Sequence, residues 1–63
     1  MTLDQFLKVI GGEYVKVERG CRNDVIYEAD KNAIRMYKPE LLTQNIYLVE
    51  LNGSNRFIVH LEV

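Results

Sequence analysis

The sequence has little of what small proteins use to reinforce a fold: it contains one cysteine, one histidine and no tryptophan in 63 residues. The single Cys21 excludes a disulfide within the chain. One cysteine and one histidine also cannot supply the four ligands of a structural zinc site. Its apolar stretches are far shorter than the roughly 20 residues of a membrane helix. We therefore expect a cytoplasmic protein with no metal, no cofactor and no membrane partner.

The length and composition indicate one small domain over residues 1–63. The chain is 48% hydrophobic and 27% charged, which is typical of a globular protein. A domain of this size buries only about 60% of its unfolded surface, so its stability is small. Close packing or self-association must supply what a disulfide or metal would otherwise add.

The first ten residues predict a helix. Thr2 and Gln5 have the spacing of a capping box, in which each side chain bonds to the backbone of the other residue. Gly11–Gly12 ends the helix, because glycine accepts the left-handed conformation common at helix ends. One apolar stripe runs along it, formed by Leu3, Phe6, Leu7 and Ile10.

Alternating apolar and polar residues predict four strands, at 13–19, 25–29, 46–51 and 56–63. Asn52–Gly53 favours a tight turn between the last two, because both residues tolerate positive φ. The order is helix, hairpin, connector, hairpin. We therefore expect an α+β fold in which the N-terminal helix crosses one face of a four-stranded antiparallel sheet.

The connector, residues 30–44, fits a strand, a helix or a loop equally well, although Pro39 favours the start of a short helix. One helix covers only one face of the sheet, yet alternation predicts a second apolar face. Either the connector covers that face, or a partner protein or a second copy of the chain does. The predicted second face consists of Ile26, Ile46, Leu48 and Ile58.

The residues with catalytic potential are too scattered to predict an enzyme. Cys21 and His60 lie on different hairpins, and no orienting motif surrounds either. We expect Cys21 to be an incidental loop residue and His60 to lie on the solvent face of its strand. The strand glutamates, Glu13, Glu18, Glu28 and Glu50, are expected to be solvated surface charges.

Basic and aromatic residues are concentrated between positions 16 and 38, a segment that contains six basic and four acidic residues. Tyrosine and arginine anchor many protein interfaces, and the same residue types stack on nucleic-acid bases. The small excess of charge favours a protein partner over nucleic acid, and an inert solvated face is the third alternative. The candidate binding residues are Tyr14, Arg22, Tyr27, Arg35, Tyr37 and Lys38.

The order of segments along most of the chain resembles that of a known group of proteins. After Met1 the chain reads T-L-D-Q-F-L-K-V-I-G-G, continues with a valine-rich strand, and reaches K-P-E-L-L before the final hairpin. In this it resembles small orphan proteins of bacteriophages and mobile elements of Gram-positive bacteria. The resemblance implies a non-enzymatic protein-binding module that inhibits a host or defence protein, as anti-CRISPR proteins do, and it assigns no site residues. A nucleic-acid-binding accessory protein is the alternative.

Overall fold

The computed structural model describes residues 1–10, 14–20, 24–53 and 56–62. Within these ranges, no helix is long and apolar enough to cross a membrane. The elements in chain order are α1 (Leu3–Val9), β1 (Tyr14–Arg19), β2 (Asp24–Asp30), α2 (Lys31–Tyr37), a 3₁₀ helix (Pro39–Leu41), β3 (Ile46–Leu51) and β4 (Arg56–Leu61).

Helix α1 begins as its sequence predicts. The Thr2 amide donates to Gln5 Oε1 at 2.9 Å, and the Gln5 amide donates to Thr2 Oγ1 at 3.3 Å, which completes the capping box. Three residues of the predicted stripe are buried, while Ile10 at the C-terminal end is half-buried. The predicted stop at Gly11–Gly12 lies outside the described residues.

The sheet has the order β2-β1-β4-β3 and is mixed. Each predicted hairpin pairs antiparallel, but β1 and β4 run parallel at the centre. The prediction of a purely antiparallel sheet is therefore wrong. The reason is the path of the connector, which carries the chain from one edge of the sheet to the other. Strand β4 then turns back beside β1 in the same direction, an arrangement that needs a long connection.

The connector is helical. The Asp30 side chain caps α2 by accepting a 2.8 Å hydrogen bond from the Ala33 amide. Pro39 then begins a 3₁₀ helix, so the predicted short helix at this proline is confirmed. Ile34 and Leu41 are buried in the same cluster as α1. The connector therefore helps to cover the face of the sheet on which α1 lies.

The core lies between the helices and one face of the two central strands. Phe6 of α1 meets Phe57 of β4 edge to face, with ring centroids 5.4 Å apart, a favourable geometry for aromatic pairs. The buried apolar residues are Leu3, Phe6, Leu7, Val15, Val17, Ile34, Leu41, Val59 and Leu61.

The predicted second apolar face is divided by two irregularities in strand register. One falls opposite Val17 and Glu18, where β2 contributes an extra residue, and the other falls in β3 between Ile46 and Leu48. An extra residue shifts the alternation of side chains along a strand. Ile26 and Ile46 accordingly pack against the core cluster. Leu48, in contrast, pairs with His60 on the opposite face.

Candidate functional site

The face of the sheet opposite the helices carries a cluster of three ionisable residues from three strands. Glu18 of β1 and His60 of β4 are neighbours in the parallel register. Glu50 lies on β3, the edge strand beside β4. Both Glu18 and His60 are buried, with 2% and 5% of their surfaces exposed. The expectation that they are solvated is therefore wrong.

His60 is held at both ring nitrogens. Its Nε2 lies 2.6 Å from Glu50 Oε1, and its Nδ1 lies 2.6 Å from the carbonyl oxygen of Gly20. Gly20 has a φ of +58°, in the left-handed region, and its amide bonds to the Leu61 carbonyl 2.9 Å away. A carbonyl and a carboxylate oxygen both accept hydrogen bonds, so the two contacts together require a doubly protonated, positively charged ring.

The surroundings of His60 act on its charge in opposite directions. Burial lowers the pKa of His60, but its hydrogen bonds to Glu50 and Gly20 and the charges of Glu18 and Glu50 raise it, and the net pKa lies above the ordinary 6.5. The imidazolium is the form that satisfies both acceptors. His60 in the folded chain therefore binds its proton more tightly than an ordinary imidazole does.

Glu18 is stabilised by charge more than by hydrogen bonds. Its Oε2 lies 3.7 Å from Lys16 Nζ, and its Oε1 lies 3.5 Å from His60 Nδ1. Within the described part of the chain, Oε1 has no hydrogen-bond partner although it is buried. Together with Lys16, the three residues of the cluster make two carboxylates and two cations, so the group is neutral only while His60 is protonated.

Sequence reasoning missed this cluster because Glu18 lies far from His60 along the chain, although Glu50 and His60 belong to the same predicted hairpin. Alternation along each strand predicts only that each of these side chains faces outward. The parallel pairing of β1 with β4 sets Glu18 beside His60, and only that pairing would have revealed the contact. The cluster includes no cysteine, serine or threonine, and among the described residues no three His, Cys, Asp or Glu side chains could hold a metal ion. Cys21 lies outside those residues.

Strand β3 forms a second unusual feature, an apolar edge of the sheet. Its first amide, that of Ile46, donates to the Met1 carbonyl, so the N-terminus covers the start of the strand. Hydrogen bonding alternates along an antiparallel pair. The Asn52 amide donates to the Arg56 carbonyl, so Asn52 faces β4, as do Glu50 and Leu48 at alternate positions before it. The backbone groups of the intervening residues, Val49 and Leu51, therefore point away from β4. Exposed side chains accompany this free edge: Tyr47, Leu48, Val49 and Leu51.

The structure places most of the predicted basic and aromatic residues in contacts within the chain. Lys38 lies over the Tyr27 ring, with 5.9 Å between its Nζ and the ring centroid. Arg35 donates to Asp4 on α1 across 2.5 Å. Tyr14 contacts Arg56, which is not in the predicted set.

Two members of the predicted set remain. Tyr37 is 65% exposed on α2, and Arg22 lies outside the described residues. The contacts therefore bring together one pair from the predicted set, Tyr27 with Lys38. Whether these residues bind a partner stays a prediction.

Comparison with known proteins adds no relative: no protein-family model, no curated protein and no solved structure matches the chain. The features that bear on function are therefore the cluster around His60, the free edge of β3 and the placement of the charged residues.

Proposed function

We propose that the chain is a non-enzymatic protein-binding module that binds a strand of another protein along the free edge of β3. The observation that carries this proposal is the exposure of four consecutive or near-consecutive apolar side chains on an edge strand with free backbone groups. Such an edge is a template for strand addition, in which main-chain hydrogen bonds supply affinity and alternate side chains supply specificity.

Comparison of the two edges supports the choice of β3. Proteins usually protect edge strands with charges, prolines or covering segments. Strand β2 carries three exposed acidic residues, Asp24, Glu28 and Asp30. Strand β3 has one charged residue, Glu50, whose carboxylate is bound to His60. The free part of β3 thus lacks the charged side chains that protect β2 from strand addition. This is what we expect of an edge that binds a partner strand.

A nucleic-acid partner is less well supported because several of the described basic side chains form ion pairs within the chain. Lys8 and Arg35 both pair with Asp4, and Arg19 pairs with Asp24. Binding to phosphates would have to break such pairs, and the net charge of −1 supplies no attractive field. The phage or mobile-element origin and the anti-CRISPR-like inhibition remain proposals, with the resemblance of the sequence as their only support.

Affinity capture with three forms of the chain tests the proposal. Wild type, Leu51→Lys and Met36→Lys would each be used to capture proteins from a cell extract, with identification by mass spectrometry. Met36 is a matched control, because it is as exposed as Leu51 (70% against 65%) but lies on α2. A lysine on an edge strand opposes strand addition.

We expect wild type and Met36→Lys to retain the same protein and Leu51→Lys to lose it. A thermal melt of each form confirms that both substitutions leave the fold intact. The proposal is contradicted if Leu51→Lys retains every partner that wild type captures. Loss of the partner at moderate salt from all three forms would instead favour the nucleic-acid alternative.

A further inference from the structure

We propose that proton binding at His60 controls how firmly the edge strand β3 is held against β4. Through the proposed function, on which this second step rests, the same proton controls how well β3 accepts a partner strand. At low pH, the protonated His60 ring holds Glu50 and balances its negative charge. At high pH, the neutral ring releases Glu50, whose negative charge then lies beside the binding edge.

The geometry at the ring determines what happens when the proton leaves. A neutral imidazole has one N–H and one lone pair, so it can donate to only one of its two acceptors. The Gly20 carbonyl is a backbone group, and the amide of the same residue is bonded to the Leu61 carbonyl. The Glu50 side chain is 54% exposed and can turn into water. The remaining proton therefore stays on Nδ1, and the contact between Glu50 and Nε2 is lost.

The surrounding charges act in the same direction. From β1, the Glu18 Oε1 atom lies 3.5 Å from Nδ1 of the ring. The other oxygen of Glu18 lies 3.7 Å from Lys16 Nζ. From β3 comes Glu50, and the turn after β1 contributes only the neutral carbonyl of Gly20. Along β4 itself, side chains alternate between faces, so Val59 and Leu61 point into the core and away from the ring. Two positions from His60 on either side are the apolar Ile58 and the exposed Glu62, just past the end of the strand, which adds a further carboxylate. Deprotonation consequently leaves these carboxylates against one lysine.

Strand β3 is sensitive to this loss because β4 is its only strand neighbour in the described sheet. The Glu50–His60 bond reinforces that pairing near the middle of the shared register. Without it, β3 keeps its backbone ladder but loses a charge-assisted hydrogen bond, one of the stronger kinds in proteins. An unpaired glutamate then lies beside the free edge, where a partner strand would add.

The free wild-type chain allows a direct test, because His60 is its only histidine and gives a single imidazole signal in NMR. We expect this signal to titrate above pH 6.5. Hydrogen exchange of the Leu48 and Glu50 amides, which face β4, should be measured across the same range and corrected for base catalysis. Their protection should fall roughly tenfold or more, which is the effect of losing a charge-assisted hydrogen bond.

Glu50→Gln is the diagnostic variant and Glu40→Gln is its matched control, since Glu40 is exposed on the 3₁₀ helix. Glu50→Gln should lower the pKa of His60 and abolish the pH-dependent loss of protection, while Glu40→Gln should behave as wild type. The proposal is overturned if His60 titrates below 6.5 or if protection of Leu48 and Glu50 does not depend on pH in wild type. These measurements need no partner, so they hold or fail independently of the capture experiment.

Discussion

The Nε2 atom of His60 lies 2.6 Å from Oε1 of Glu50 and so links the buried central strand β4 to the exposed edge strand β3. The two features that distinguish this sheet, a charged cluster on one face and an apolar free edge, are thereby joined through one side-chain contact.

Stability should decrease as the pH rises through the folded-state pKa of His60. Because this pKa is raised above the unfolded value of 6.5, the folded state holds its proton more tightly than the unfolded state does. The contribution of His60 to the free energy of unfolding is fully present below pH 6.5 and is lost as the pH rises through the folded-state pKa. Urea unfolding at closely spaced pH values measures this. A free energy of unfolding that rises over that interval would contradict the account.

Stability should also fall in acid through Asp4. The hydrogen bond from Arg35 lowers the pKa of Asp4 below its ordinary 3.8, with Lys8 adding to the effect against a smaller opposing contribution from burial. That contribution is present above pH 3.8 and is lost as the pH falls through the folded pKa. A double-mutant cycle with Asp4→Asn and Arg35→Ala should give a favourable coupling that vanishes in acid. Additive effects of the two substitutions would show that the pair does not stabilise the contact between α1 and α2.

Gly20→Ala should destabilise the chain by about 1–2 kcal/mol, the cost of a left-handed conformation for a residue with a side chain. Apart from the two chain neighbours of Gly20, no atom of the described residues lies within 4 Å of the added Cβ, so the cost comes from the backbone conformation. Gly20→Asn is the matched control, because asparagine tolerates this conformation better. Chemical denaturation compares the three forms. Equal stability of the alanine variant and wild type would mean that the positive φ of Gly20 is not required.

Phe6→Ala should destabilise the chain by about 3–5 kcal/mol, the range for emptying a buried aromatic site. The ring is buried in the core cluster and packs edge to face on Phe57. Phe6→Leu should cost less, because it retains most of the apolar volume. Thermal melts of both variants measure the difference. Unchanged melting of the alanine variant would show that α1 contributes little to the core.

The sequence predicted the local features of this fold well and its long-range features poorly. The cap at Thr2 and the helix start at Pro39 follow from the chemistry of neighbouring residues, and the structure has both. The parallel pairing of β1 with β4 depends on the path of the whole connector, which no local pattern encodes. The contact between Glu18 and His60 depends on that pairing, so it could not be foreseen either.

The binding surface illustrates the same limit. Residue type places Arg35 and Tyr37 among the candidate binding residues. The structure gives Arg35 a partner in Asp4, whereas Tyr37 remains exposed. The free edge of β3 could not be predicted from the sequence, because the order of the strands in the sheet decides which strand lies at an edge. Alternation along the chain does not reveal that order.

The most direct test of the central claim is an NMR titration of the labelled chain with the partner that the capture experiment identifies. Strand addition at β3 predicts that the outward-facing amides of Val49 and Leu51 shift and become protected from hydrogen exchange on binding, because they donate to the partner strand. Changes confined to Tyr37, Lys38 and their neighbours, with Val49 and Leu51 unaffected, would contradict the account and would place the binding surface on the connector instead.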